Sequence, residues 1–293
     1  MILTGFTDEV STSLDKQIDV CKALDWSYID LRTVGEKNIC HLSSDEFEIL
    51  YNLLDKAELK ILCFGSPIAN WSRSVDYPLK DEILELQKAS RLMKKGNVPY
   101  IRIMSYALET PSPVTDSLGM TIAKRLNILA KVAEDEGIIL LHENCETWGG
   151  QSRFHTQFLL DNISSPSFKL IFDTGNPPGT LNITGESPYQ FQDSLNFLKS
   201  IYDSVELVHI KDAKLEDSQV IYKWPGEGDA RIGEILTFLK SRNFKGPISI
   251  EPHLEVVYHD KSVKSSTQKQ WDTFIEYAER ANSLLYKAGF SVN

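Results

Sequence analysis

The chain has 293 residues, with 31 Lys and Arg against 41 Asp and Glu, a formal charge of −10 and a pI near 5.2. That balance offers no basic footprint for a phosphate backbone, so nucleic acid is set aside as a partner. No run of about 18 uncharged apolar residues occurs, and the opening MILTGFTDEV has no cationic segment leading into a long apolar one. Neither membrane insertion nor secretion is expected, and the reading is a cytoplasmic protein. The four cysteines, Cys21, Cys40, Cys63 and Cys145, show no CxxC spacing and are expected as reduced thiols.

Strand and helix patterns alternate along the whole chain without a low-complexity linker. Residues 2–6 read as a strand, and 13–24 as a helix in which Leu14, Ile18, Cys21 and Leu24 recur at helical spacing. Residues 28–31 form the second strand, and 43–57 the second helix, opened by a Ser-Ser-Asp-Glu cap. A third strand covers 60–64, with an amphipathic helix within 79–95 that stops at Gly96. A fourth strand spans 100–104, with a helix over 121–136 closed by Gly137. Four more strands follow, in IILLHEN (138–144), FKLIFDTGN (168–176), VELVHIKD (205–212) and GPISIEP (246–252). Helices are expected over 154–160, 189–202, 232–242 and 265–287. Eight repeats of strand then helix are the arithmetic of a closed parallel (β/α)8 barrel, and roughly 250 residues is an ordinary length for one. One domain, 1–293, is expected. An open doubly wound sheet needs a glycine-rich turn after an early strand, and neither GxGxxG nor GxxxxGK[ST] is present.

Each of the last four strands ends in, or carries near its end, a residue able to bind a divalent metal: Glu143, Asp173, His209 and Glu251. In a barrel, those carboxyl ends open onto one face, where active sites are built. Three carboxylates and one imidazole could converge there on one divalent ion, Mn²⁺, Mg²⁺, Co²⁺ or Zn²⁺. Taken singly, each has a plainer use. Asp173 suits an Asx turn before Gly175, and His209 in an apolar strand suits a core position. It is the recurrence at equivalent positions that favours the metal.

The ordered set of Glu143, Asp173, His209 in HIKD, GEGD at 226–229 and Glu251 before a proline resembles the xylose isomerase-like TIM barrel superfamily. Its closest branch is the sugar phosphate isomerases and epimerases, with ketose 3-epimerases and inosose dehydratases. The resemblance runs from GFTDEV to the last helix. It implies that Glu143, Asp173, His209 and Glu251 are metal ligands, with Glu143 and Glu251 doubling as catalytic acid and base. A divalent ion held by the substrate's carbonyl and adjacent hydroxyl stabilises the enediolate left by proton removal, and a positioned carboxylate adds about 10²- to 10⁴-fold.

Around that set, Lys211 would face the same way as His209 and bind a substrate oxygen or phosphate, its plainer use being that of a surface lysine. Arg102 would point into the barrel toward Glu143, and Trp71 and Trp148 would cover a sugar ring, with packing lids as the alternative for both. Asp229 and Arg231 would clamp the substrate or cap a helix, and His142 would face the helices. Ketose 3-epimerases carry a histidine where this chain has Asn176, a glutamate at Gly149 and an arginine at Leu215. Asn176 is therefore expected as a substrate contact in a changed sugar-binding shell. The implied activity is that of a metal-dependent isomerase or epimerase on a sugar, sugar phosphate or cyclitol. A dehydratase using the same site is the alternative, and an endonuclease IV-like nuclease or a non-catalytic sugar-binding protein is less favoured. The expected partner is a small carbohydrate, with a homodimer kept open.

Overall fold

The structure, a computed structural model, describes residues 1–114, 117–184, 188–217, 219–257 and 265–292. Eight parallel strands make the barrel: β1 (Leu3–Gly5), β2 (Tyr28–Leu31), β3 (Lys60–Gly65), β4 (Tyr100–Ile103), β5 (Ile139–Glu143), β6 (Phe168–Asp173), β7 (Val205–Ile210) and β8 (Ile248–Ile250). Each strand from β2 to β8 lies beside its successor, and β1 pairs with β8 through Leu3 and Ile248. A parallel bridge between Phe6 and Asp30 joins β1 to β2 and completes the ring.

Outside run α1 (Leu14–Ala23), α2 (Ser44–Lys56), α3 (Leu79–Gly96), α4 (Ser117–Glu136), α5 (Arg153–Asn162), α6 (Ser194–Ile201), α7 (Ile232–Ser241) and α8 (Thr267–Lys287). The expected cap of α2 is a capping box. Ser43 Oγ accepts the Glu46 N–H at 3.2 Å, while Glu46 Oε2 accepts the Ser43 N–H at 2.7 Å. Gly137, at φ +70°, ends α4, and the Ile138 N–H reaches back to the Ala133 carbonyl at 3.0 Å.

Leu62, Leu141, Ile171 and Leu207 pack inside the barrel, and a larger apolar layer fills the space between strands and helices. The interior is thus plugged below the site by aliphatic side chains, as the fold requires.

Two departures from the sequence expectation bear on the site. Helix α6 begins at Ser194, where the pattern suggested 189. The Asp193 carboxylate accepts the Asn196 N–H at 2.7 Å as N-cap, and Phe191 instead bridges to Leu181 in an extended segment. The loop after β7 also contains an unanticipated antiparallel hairpin, Asp212–Glu216 with Gln219–Lys223.

Candidate metal centre and cavity

The strand ends bring Glu143, Asp173, His209 and Glu251 together, each buried, with one donor atom per residue all within 4.8 Å of one another. His209 Nδ1 lies 3.6 Å from Glu143 Oε1, 3.9 Å from Asp173 Oδ2 and 3.9 Å from Glu251 Oε2. Neither ring nitrogen of His209 makes a hydrogen bond, and nor do Glu143 Oε2 and Asp173 Oδ2. Buried polar atoms normally find aligned partners, so a cluster left in this state fits a divalent cation with an oxygen-rich, one-imidazole donor set. Asp173 meets both sequence readings at once. Its Oδ1 accepts the N–H groups of Gly175 and Asn176 at 2.8 and 2.9 Å, as in an Asx turn, while Oδ2 faces the cluster. Asn144 fixes the end of β6 by exchanging two hydrogen bonds with the backbone of Asp173.

Three cations press on these carboxylates. Arg102 Nη1 is 3.1 Å from Glu143 Oε2 and 3.8 Å from Glu251 Oε1, matching its expected inward direction and partner. Lys211 Nζ is 3.0 Å from Asp173 Oδ2 and 3.4 Å from Glu251 Oε2. Arg32 Nη1 donates to Glu251 Oε1 at 2.7 Å, while its Nε and Nη2 hold Asp8 at 3.0 and 3.1 Å. The Phe6 ring supports the group from below, with Arg32 and Arg102 over its faces and His209 at its edge.

Burial acts on every member, and the neighbours decide the outcome. Burial pushes Glu143 up, but Arg102 and His209 outweigh it and bring the carboxyl down to about 2. Glu251 also falls well below the usual carboxylate range, because Lys211, His253 and Arg32 overcome its burial. For Asp173 burial wins against Lys211, and the carboxyl rises to about 6. Lys211 stays charged despite burial because Asp173 and Glu251 face it.

Glu143 and Glu251 form part of the floor of a cavity of about 720 Å³ on the carboxyl-end face of the barrel, with Asp173 and His209 of the same cluster buried beside them. Lys211, Asn176, Arg102 and Trp71 line it, as the sequence suggested. Three other expected contacts lie elsewhere. Trp148 is fully buried in the core against His155 and Phe158, and it fits there because Gly119 has no side chain: a Cβ at that position would come within 2.3 Å of the indole. Asp229 is exposed away from the cavity. Arg231 is paired with Asp193 and Glu234 on the surface, and it occupies the N-cap position of α7 with no capping bond.

The GEGD loop is organised from a residue the sequence reading passed over. Asp212 accepts the N–H groups of Ala213, Gly226, Gly228 and Ala230 at 2.8 to 3.1 Å. Arg32, Glu9 and His253 were also missed. His253 Nε2 sits 3.4 Å from Glu251 Oε1 and 3.5 Å from Glu9 Oε1, and Glu9 Oε2 accepts the His253 N–H at 2.9 Å. His253 lies two residues past Glu251, the same offset that drew notice to Lys211 past His209, so the signal was present.

A barrel of eight parallel strands with a buried carboxylate and imidazole cluster at its carboxyl-end mouth is the arrangement of a TIM barrel with a cluster that could hold a metal ion. The family model described as xylose isomerase-like TIM barrel matches residues 18–279, and the chain belongs to that family. Inosose dehydratase from Bacillus thuringiensis (strain Al Hakam) is 25% identical over 165 residues, covering 51% of this chain and 52% of that protein. The chain thus aligns with about half the length of that curated relative. Among solved structures, the IOLI protein with a bound zinc atom superposes with a TM-score of 0.74 at 17% identity, covering 99% of this chain and all of the other. A D-tagatose 3-epimerase-like protein gives 0.66 at 17% identity, covering 97% and 99%. At these identities, the two structures speak for the fold. No described helix is long and apolar enough to cross a membrane, and the four cysteines are free and buried.

Proposed function

We propose that the chain is a divalent-metal-dependent isomerase or epimerase of a sugar, sugar phosphate or cyclitol, acting as one catalytic domain in the cytoplasm. The convergence of Glu143, Asp173, His209 and Glu251, two of which, Glu143 and Glu251, line the cavity, carries this reading. Those four side chains would hold the ion, which when bound supplies a Lewis acid at the substrate's carbonyl and neighbouring hydroxyl oxygens. Glu251, kept ionised by Lys211, His253 and Arg32, takes the proton from the carbon beside the carbonyl. Glu143, kept ionised by Arg102, stands across the cluster as the second proton-transfer group. Lys211 is placed to donate to a substrate oxygen, with Arg102 and Asn176 positioning the polar end and Trp71 covering the ring. A proton returned to the opposite face of the same carbon gives an epimer, and one returned to the neighbouring carbon gives an isomer.

The inosose dehydratase relatives favour a second reading on the same residues. Abstraction of the same proton is followed by loss of hydroxide from the next carbon, which leaves as water once protonated. One experiment addresses both. The Mn²⁺-loaded protein is incubated in D₂O with ketoses, inososes and their phosphates, and products are followed by NMR and mass spectrometry. Deuterium beside the carbonyl with no mass lost marks the isomerase or epimerase, and loss of one water marks the dehydratase. Glu251→Gln is expected to keep its circular dichroism spectrum and lose about 10²- to 10⁴-fold in exchange. Full retained exchange would exclude Glu251 as acid or base.

A further inference from the structure

The cavity changes character with depth. Its floor is polar and charged, whereas Trp71, Val220, Ile221, Tyr222, Leu254 and Val257 give its mouth an apolar rim, with the exposed Gln219 the polar side chain beside them. Val220, Ile221 and Tyr222 belong to the outer strand of the hairpin after β7, and they are half-buried. The hairpin is seated closely. A Cβ on Gly179 would lie 2.7 Å from Val220, so bare backbone at that turn lets the strand lean over the opening. The Tyr222 ring meets His253 edge-on at 4.9 Å, which ties the apolar rim directly to the charged floor.

The charges of the lining point inward. Among the described residues, its cations Arg32, Arg102 and Lys211 are all spent on Asp8, Glu143, Asp173 and Glu251. Glu146, the charged residue of the lining that is exposed, is an anion. Among the described residues, a phosphate at the mouth would therefore meet apolar side chains and a like charge, with a desolvation cost that no described ion pair offsets. A volume of about 720 Å³ is in the upper part of the roughly 300–1,000 Å³ range of pockets that enclose drug-sized ligands, more than one sugar ring fills.

We propose that the ligand is uncharged and has two parts: a polyhydroxy ketone or cyclitol seated on the floor, joined to an apolar group held by the hairpin rim and Trp71. This deepens the proposed function and rests on its reading of the floor. Shape and solvation supply the selectivity. The floor recognises oxygens, and the rim gains from removing an apolar group from water while rejecting a charged one.

The test uses the Mn²⁺-loaded full chain and calorimetric titration with D-fructose, with its monophosphate on the terminal hydroxyl and with its benzyl ether on the same hydroxyl. An inosose is presented in the same three forms. The benzyl ether is expected to bind at least about 10-fold tighter than the bare compound, and the phosphate weaker than both. Val220→Lys is expected to reverse the order toward the phosphate. Val220→Asp is expected to weaken the benzyl ether selectively, which a merely unfolded variant would not do. A phosphate that binds the unmodified protein as well as or better than the bare compound overturns the inference. So does a benzyl ether that gains nothing, or failure of all six compounds to bind. Deuterium exchange is read separately: exchange with bare ketoses alongside a phosphate-first binding order leaves the proposed function standing, and absence of exchange from every substrate removes it.

Discussion

His142 and Glu143 are consecutive on β5 and face opposite ways, and the alternation of a strand explains why one joins the site and the other the wall. His142 is fully buried on the helix side, with Nε2 3.0 Å from Ser105 Oγ, and burial holds its pKa down to about 4. The folded state therefore keeps the ring neutral where the unfolded chain would protonate it. Its contribution is complete above the ordinary histidine pKa and is lost as pH falls from about 6.5 toward 4, amounting to about 3 kcal/mol at the acid end. Urea denaturation at pH 7.5 and pH 5 should show this loss, and His142→Asn should flatten that part of the slope. A variant that keeps the full slope would show that His142 does not titrate on unfolding. The direction of His142 was legible because strand period is two. The positions of Arg32 and Arg102 were equally open to that logic, since each lies near or just past the end of a strand, Arg32 two residues beyond Asp30, yet only Arg102 was read. Trp148 misled because a tryptophan between a threonine and two glycines looks like an exposed loop residue. Its real socket, Gly119, is 29 positions away in sequence, and sequence alone does not pair them.

At the level of elements, the eight repeats were readable because hydrophobic period switches cleanly between strand and helix. The hairpin after β7 was not. Its strands, DAKLE and QVIYK, are short and half polar, and the connection lacks the Asn-Gly or Asp-Gly signal of a tight turn. What holds it is the buried Asp212 carboxylate, which gathers four backbone N–H groups from both ends of the excursion. Hydrogen bonds to a charged group contribute about 1.5–3 kcal/mol each, and they fail together when the acceptor is removed. Asp212→Ala is expected to destabilise the protein by about 3 kcal/mol in urea titration and to raise KM more than it lowers kcat, because the rim loosens while the floor stays intact. An unchanged KM would mean that the hairpin has no part in binding.

For the whole molecule, barrel closure brings the first strand beside the last, and this decides which site residues a linear reading can find. Glu143, Asp173 and His209 sit on neighbouring strands in sequence order, so their meeting follows from the repeat. Asp8, Glu9 and Arg32 meet Glu251 only because β1 pairs with β8, across more than 200 positions of chain. The result is a branched ionic network centred on Glu251, in which Arg32, Arg102 and Lys211 link it to Asp8, Glu9, Glu143 and Asp173. The charges that would bind an ion are thus already balanced in part by the protein's own side chains, so they do not repel one another apart. Treatment with EDTA is expected to abolish deuterium exchange while leaving a cooperative unfolding transition. The stability lost should be no more than mass action requires, about 3 kcal/mol for an ion held at 100 times its Kd. Collapse of the fold on chelation would contradict this. A scaffold that keeps its shape when stripped can be recharged with one metal after another in a single preparation, so manganese, magnesium, cobalt and zinc can be ranked without refolding the protein between trials.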